Sequence, residues 1–342
     1  MEDVGQTGNL QVSGERAKAC FLLGISQRSG TNYLFQLLRQ HPDCVAPGPI
    51  WEDFLLDHSG LLKNYAERVF GSWNPKWDVE NKVGSQSALL RHLGDALYGF
   101  LRLQLVLVAV EKARGEDMGA KDAVFEKLFI TKTPSVKNLE NFFVLFPECH
   151  LLILVRDGRG VVESGVKSFG WNYEEAMREW TKSAETILDF AGKNKSDDRF
   201  LVVRYEDIVA NEKAELSKIF IFLGLNPGLY DFSVPATLGV IGSSDLREAP
   251  VDEVHWKAIK KESTFNPIGR GFNWPRSRYR RFAWIAGGAM SRLGYEMEAN
   301  GCVGSSFLIK NRLLDLKWRL KKSALMAKSR ISSGRQVRFG QR

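Results

Sequence analysis

Four short, largely apolar runs punctuate the chain: Cys20–Leu23, Phe125–Ile130 (with Glu126 and Lys127 inside it), His150–Val155 and Phe200–Val203. None alternates as a half-exposed strand would, so each reads as a strand covered on both faces. Between them the apolar positions move to helical spacing, most clearly over Glu174–Phe190 and Glu212–Leu223, with Gly224 placed to close the second helix. Strands alternating with amphipathic helices predict an α/β fold, a central parallel sheet flanked by helices. The interval 46–119 is helical and aromatic, and an insertion of this kind between the first two strands is expected to form a lid over the sheet's carboxyl edge.

This pattern divides the chain into a flexible leader (1–17), a main domain (18–304) and a tail (305–342). In the tail, Ile309, Leu313, Leu316 and Leu320 recur at helical spacing with Lys and Arg between them, which predicts a basic amphipathic helix followed by a disordered end. Such a helix suits an anionic membrane surface, a protein partner or simple packing on the body, the last being the most frequent outcome.

Charge sharpens that division. The chain carries a net +8, yet residues 310–342 hold eleven Lys and Arg against the single acid Asp315, leaving the preceding body close to neutral. No nucleic-acid partner is expected of such a body. The most apolar window, "LYGFLRLQLVLVAVEKA", is interrupted by Arg102 and Gln104 and reads as too short to span a bilayer. The N-terminus lacks the apolar core of a signal peptide, so the expected location is the cytoplasm, with the tail suited to a membrane's periphery. Cys20, Cys44, Cys149 and Cys302 form no metal-type cluster and are expected as reduced, mostly buried thiols.

The first strand runs into "GISQRSGTNYLF" (Gly24–Phe35), a polar, glycine-bearing turn delivered into a helix. Backbone N–H groups and the positive end of the helix dipole converge there, a setting suited to phosphate or sulfate. Gly30 permits close approach, Ser29, Thr31 and Asn32 add donors, and Arg28 adds charge. The nucleotide loop GxxxxGK[ST] needs Lys after its second glycine, whereas Thr31 stands here and five residues separate Gly24 from Gly30. A second strand ends at Arg156, and its turn enters a helix carrying Ser164, so a second anion is expected at that edge. An ion pair between Arg156 and Asp157 is the competing reading.

Taken together, "QRSGTNYL" and "VRDGRGVVESGVKSF" resemble the 5′-phosphosulfate loop and 3′-phosphate motif of sulfotransferases that use 3′-phosphoadenosine 5′-phosphosulfate (PAPS). Arg156 and Ser164 keep the family's spacing, and the resemblance spans roughly Phe21 to Leu225. Gln27, Asn32 and the extra residue after Gly24 depart from the usual loop. The resemblance implies a P-loop-like sulfotransferase fold, PAPS as co-substrate, and sulfuryl transfer to a hydroxyl or amine with no metal required. It implies that Arg28, Ser29, Gly30, Thr31 and Asn32 hold the phosphosulfate, that Arg156 and Ser164 hold the 3′-phosphate, and that Tyr205 lies near the nucleotide. A serine loop over the cofactor is matched by Ser243 and Ser244 in "VIGSSDL". Glu52 in "PIWEDF" stands where several members carry a catalytic Glu, with Asp53 and His58 as alternatives, and Lys132 in "ITKTPSV" is expected to stabilise the leaving oxygen with Arg28. The rival readings are a P-loop kinase or NTPase and a non-catalytic nucleotide-binding protein. The acceptor and the oligomeric state are left open.

Overall fold

The computed structural model describes residues 19–46, 48–113, 122–243, 258–260, 266–271, 273–297 and 305–339; the leader, Ser244 and Cys302 lie outside them. In chain order, β1 (Ala19–Gly24) runs into α1 (Thr31–Leu38), and a short β2 (Cys44–Val45) follows. The insertion contributes α2 (Ser59–Ser72), α3 (Val79–Lys82) and α4 (Gln86–Ala113). Next come α5 (Asp122–Phe125), β3 (Leu128–Thr133), α6 (Phe142–Leu145), β4 (His150–Val155) and α7 (Gly158–Phe169). The series continues with α8 (Tyr173–Lys193), β5 (Phe200–Arg204), α9 (Tyr205–Ala210) and α10 (Glu212–Phe222). These belong to one compact unit, Met1–Asn273; the second, Trp274–Arg342, holds α11 (Arg276–Arg292) and α12 (Ser305–Phe339).

All pairings in the sheet are parallel, in the order β2-β3-β1-β4-β5. The continuous apolar runs explain why: β1 is buried at every position, as strands covered on both faces must be. On one face Cys20 and Leu22 pack with Leu34, Leu37 and Leu38 of α1 and with Ile219 and Phe220 of α10. On the other, Phe21 stacks on Phe146 and meets Phe142 edge to face. Because β1 is central, with β3 and β4 on its two sides, the turns after β1 and β4 open side by side at the carboxyl edge, where doubly wound sheets bind ligands.

Three expectations are corrected. The second strand starts at Leu128, not Phe125, and continues through Thr131, Lys132 and Thr133. Its polar end does not terminate the strand because each polar side chain is satisfied by the segment 52–54: Thr131 donates to Asp53, Lys132 to Glu52, and Thr133 Oγ1 accepts from the Phe54 N–H. The insertion meets the carboxyl end of β3 through that segment and the loop beyond it through Leu56 and Asp57, whose carbonyls accept from Asn138. Helix α4 packs on α2, α5 and α6, and no described residue of 46–119 lines the arginine cavity described below. Finally, the apolar window of α4 is not cut short. The helix is 28 residues long, and Gln86–Val110 is long and apolar enough to cross a bilayer. Arg102 lies over the rings of Tyr98 and Phe125, while buried Gln104 accepts from the Ile50 N–H at 2.9 Å. Phe100, Leu103, Leu107 and Val110 of the same helix are exposed.

In the second unit, Arg281 of α11 donates to Asn311 Oδ1 (2.8 Å) and Asp315 Oδ1 (2.7 Å) of α12, and Trp284 Nε1 donates to Asp315 Oδ2 (2.9 Å). The tail's single acid is thereby engaged with its neighbouring helix. α12 runs on to Phe339, beyond the point where the polar end of the sequence begins.

The packing of α4 on α6 gives a test with opposite signs at two glycines. A Cβ at Gly94 would lie 1.9 Å from the Leu145 carbonyl oxygen, whereas one at Gly99 would meet nothing within 4 Å. Alanine is the better helix former by about 1 kcal/mol, but overpacking against backbone costs about 1–3 kcal/mol. Urea unfolding should therefore show Gly94→Ala less stable and Gly99→Ala more stable than wild type.

Candidate active site

The turn after β1 is fixed from within. Ser29 is fully buried, its hydroxyl donates to the Ser26 carbonyl at 2.7 Å and its N–H to the same oxygen at 3.4 Å, so Ser29 braces the turn and is not among the residues lining the cavity described below. Arg28 (φ 71°) and Gly30 (φ 97°) both adopt the left-handed conformation. For Arg28 this is the kind of local strain that functional loops hold in place. Gly30 has a second reason to lack a side chain: a Cβ there would lie 2.4 Å from the Tyr205 ring. The N–H groups of Thr31 and Asn32 belong to the first turn of α1 and have no carbonyl one turn earlier to accept them.

Tyr205, buried at the start of α9, therefore supports the loop directly. The Arg156 guanidinium lies over the same ring, 4.5 Å from its centroid. Burial pushes the Tyr205 hydroxyl pKa up, opposed by the nearby charges of Arg156 and Arg270. The Arg156 backbone is held by Trp180, whose indole N–H donates to its carbonyl at 3.2 Å. Its side chain donates to the Arg28 carbonyl at 2.8 Å and to the Pro267 carbonyl. Asp157 caps α7 and pairs with Arg159. The carboxylate that could have neutralised Arg156 is thus committed to a different arginine.

Arg28 does not stay within its own turn. Its Nε donates to Ser164 Oγ at 3.0 Å and its Nη1 to the Gly242 carbonyl, tying the β1 turn to α7 and to the loop at 242. Ser164 Oγ also accepts from Arg270 at 3.2 Å, and Arg270 donates to Ser243 Oγ at 3.2 Å. Arg28, Gly30, Thr31, Asn32, Arg156, Ser164, Tyr205 and Ser243 accordingly line one cavity of about 260 Å³, together with Arg270. No carboxylate is among its described lining residues. Carbonyls, hydroxyls and the rings of Phe169 and Tyr205 orient Arg28, Arg156 and Arg270, and each of these contacts fixes a guanidinium without cancelling its charge. Arg270 was not anticipated from sequence. The available signal was "GRG": Gly269 and Gly271, both at positive φ, flank it.

Glu52 and Lys132 form a second group outside that lining. Lys132 is 1% exposed near the end of β3, in register with Leu22 of β1, and its Nζ lies 2.8 Å from Glu52 Oε1. Phe35 of α1 covers it, 5.8 Å from Nζ to the ring centroid. Burial pulls the Lys132 pKa down, and Glu52 opposes that shift. Asp53 is bound on all sides: its N–H donates to the Lys132 carbonyl, and its carboxylate accepts from Thr131 Oγ1 at 2.7 Å and from the Leu55 N–H at 2.9 Å. Burial pushes its pKa up, partly offset by those hydrogen bonds. His58 is exposed at the turn before α2. Of the three carboxylate or imidazole candidates, Glu52 alone pairs with the lysine.

Nodulation protein NoeE of Sinorhizobium fredii is 24% identical over 231 residues, which are 61% of this chain; the chain spans about half the length of that relative. The sulfotransferase domain from the curacin biosynthetic pathway matches 83% of this chain and all of its own, at 19% identity and a TM-score of 0.45. That of the Synechococcus PCC 7002 olefin synthase matches 63% of this chain and 76% of its own, at 24% and 0.39. A mouse sulfotransferase complexed with PAP matches 82% of this chain and 87% of its own, at 14% and 0.39. The model of the sulfotransferase family matches residues 20–227, a stretch that holds the turns after β1, β3, β4 and β5 with Arg28, Arg156, Ser164 and Tyr205 of the cavity, and the chain belongs to that family of transferases.

Proposed function

We propose that this sulfotransferase takes its sulfuryl group from PAPS and passes it to a hydroxyl or amine of its acceptor. The observation that carries the reading is the cavity at the carboxyl ends of β1 and β4, which gathers Arg28, Arg156 and Arg270 with no lining carboxylate beside a helix N-terminus. A donor with a 3′-phosphate and a 5′-phosphosulfate presents two separated anions. Arg28 with the N–H groups of Gly30, Thr31 and Asn32 suits the phosphosulfate, and Arg156, Ser164 and Arg270 suit the 3′-phosphate. Ser243 closes the cavity from the far loop, and Tyr205 carries both Arg156 and the β1 turn. Thr31 in place of the usual Lys counts against an NTP-hydrolysing alternative.

Transfer is an in-line displacement at sulfur. The acceptor oxygen or nitrogen forms the new bond to sulfur while the bond from sulfur to the bridging phosphate oxygen breaks, leaving PAP. Glu52 takes the acceptor proton, and Lys132 with Arg28 offsets the charge that develops on the leaving oxygen. The Glu52–Lys132 ion pair couples the two roles. The lysine that would serve the leaving oxygen also orients the carboxylate that would receive the acceptor proton.

Calorimetry with PAP tests the donor site. Wild type should bind, and Arg28→Ala and Arg156→Ala should each weaken binding by roughly 10- to 100-fold, the worth of a charge-assisted hydrogen bond; unchanged affinity in both would overturn the assignment. With labelled PAPS and an acceptor found by screening extracts, Glu52→Gln should lower turnover by about 10²- to 10⁴-fold while PAP affinity holds.

Asp53 is assigned a structural part, and its ionisation gives a separate check. Its raised pKa means that the folded state holds this proton more tightly than the unfolded state. The associated stability is present below the ordinary carboxylate pKa and is lost as pH rises through the raised value. Asp53→Asn cannot ionise. Its stability relative to wild type in urea should therefore improve as pH rises from about 4 toward neutrality.

A further inference from the structure

We infer that α12 is a membrane-docking element that lies on an anionic phospholipid surface through the face opposite α11. At about 100° per residue, Ile309, Leu313, Leu316 and Leu320 fall within an arc of about 60°. All four are exposed, at 59%, 61%, 54% and 63%. Asn311 and Asp315, which bond to Arg281, fall on the opposite side of the helix. Exposed basic residues border the apolar stripe on both sides, Lys310, Lys317 and Lys321 along one edge and Arg312 and Arg319 along the other. Asp315 is the only acid between Lys310 and Arg342, and its carboxylate is engaged by Arg281 and Trp284. The outward face is therefore apolar along its centre and cationic along both margins.

The charges select the occupant. The 4-3-4 spacing of the stripe would suit a coiled coil, but the positions flanking such a seam are Lys310, Arg312, Lys317 and Arg319. A second copy would place cation against cation in either orientation. A helical partner of opposite charge is also poorly served, because after Leu320 the next two seam positions are Ser323 and Ala327. A stable two-helix seam needs three or four heptads. A bilayer needs only one helix whose apolar stripe enters the headgroup boundary while flanking Lys and Arg side chains extend to lipid phosphates.

Sedimentation of the full chain with sucrose-loaded vesicles tests the inference independently of the sulfotransfer chemistry. Binding should be at least tenfold stronger to vesicles of equal phosphatidylcholine and phosphatidylserine than to phosphatidylcholine alone, and should weaken as salt is raised. The triple variant Lys310→Glu, Lys317→Glu, Arg319→Glu should lose roughly two orders of magnitude in affinity. These side chains are exposed, so the variant should melt as wild type does. Leu313→Ser with Leu316→Ser should also lose at least tenfold. No preference for the anionic vesicles would overturn the inference. So would a charge-reversed chain that binds as wild type does, or loss of binding on charge reversal with none on the Leu→Ser changes, which would mean ionic adsorption without insertion. A dimer by light scattering that the Leu→Ser changes dissociate would give the face to a second copy instead.

Discussion

Three guanidinium groups share one cavity whose described lining offers them carbonyls and hydroxyls and holds no carboxylate. A carboxylate beside any of them would lower the cost of bringing the cations together, but it would also compete with an incoming anion. The sheet's carboxyl edge supplies carbonyls and hydroxyls instead, from Arg28, Ser164, Gly242, Ser243 and Pro267. Each arginine therefore remains charged toward the cavity while its geometry is fixed by bonds to loops far apart in sequence. The arrangement also explains why Asp157 caps α7 and holds Arg159, for a carboxylate at that turn has to be occupied elsewhere if Arg156 is to stay available.

The end of β3 follows the opposite rule. There a lysine with almost no exposure is matched by a carboxylate, and removing either partner would leave a buried or half-buried charge uncompensated. The polar triplet Thr131-Lys132-Thr133 is tolerated inside a strand because the segment 52–54 supplies one partner to each member. Charge excess at the β1–β4 edge and charge balance at β3 thus occupy neighbouring strand ends of one sheet. Under the proposed function the first would hold an anionic donor and the second would keep a base and a cation together.

Where strand burial alone decides the outcome, the sequence was readable. His150–Val155 is continuous, apolar and bounded by turns, and it is β4 to the residue. The strand at Leu128–Thr133 was misplaced because its polar end is stabilised by residues about eighty positions earlier, a contact that no local pattern carries. For the same reason the pairing of Glu52 with Lys132 was invisible although both residues were named as candidates. Arg156, Ser164 and the β1 turn were legible because each sits where a strand ends and a helix begins. Arg270 was not, since it arrives on a loop more than a hundred residues downstream of Ser164 with only two flanking glycines to mark it. The reach of Arg28 to Ser164 likewise joins two sites that the sequence presents as separate anion cradles.

The contact between Gly30 and Tyr205 binds three positions into one inherited unit. A larger residue at position 30 meets the ring, and a smaller one at 205 would make room for it, yet the left-handed backbone at 30 would still disfavour any side chain. Shortening the ring would also withdraw the surface on which Arg156 rests. No single compensating change restores the arrangement, so positions 30, 156 and 205 are open to substitution during divergence only as a set.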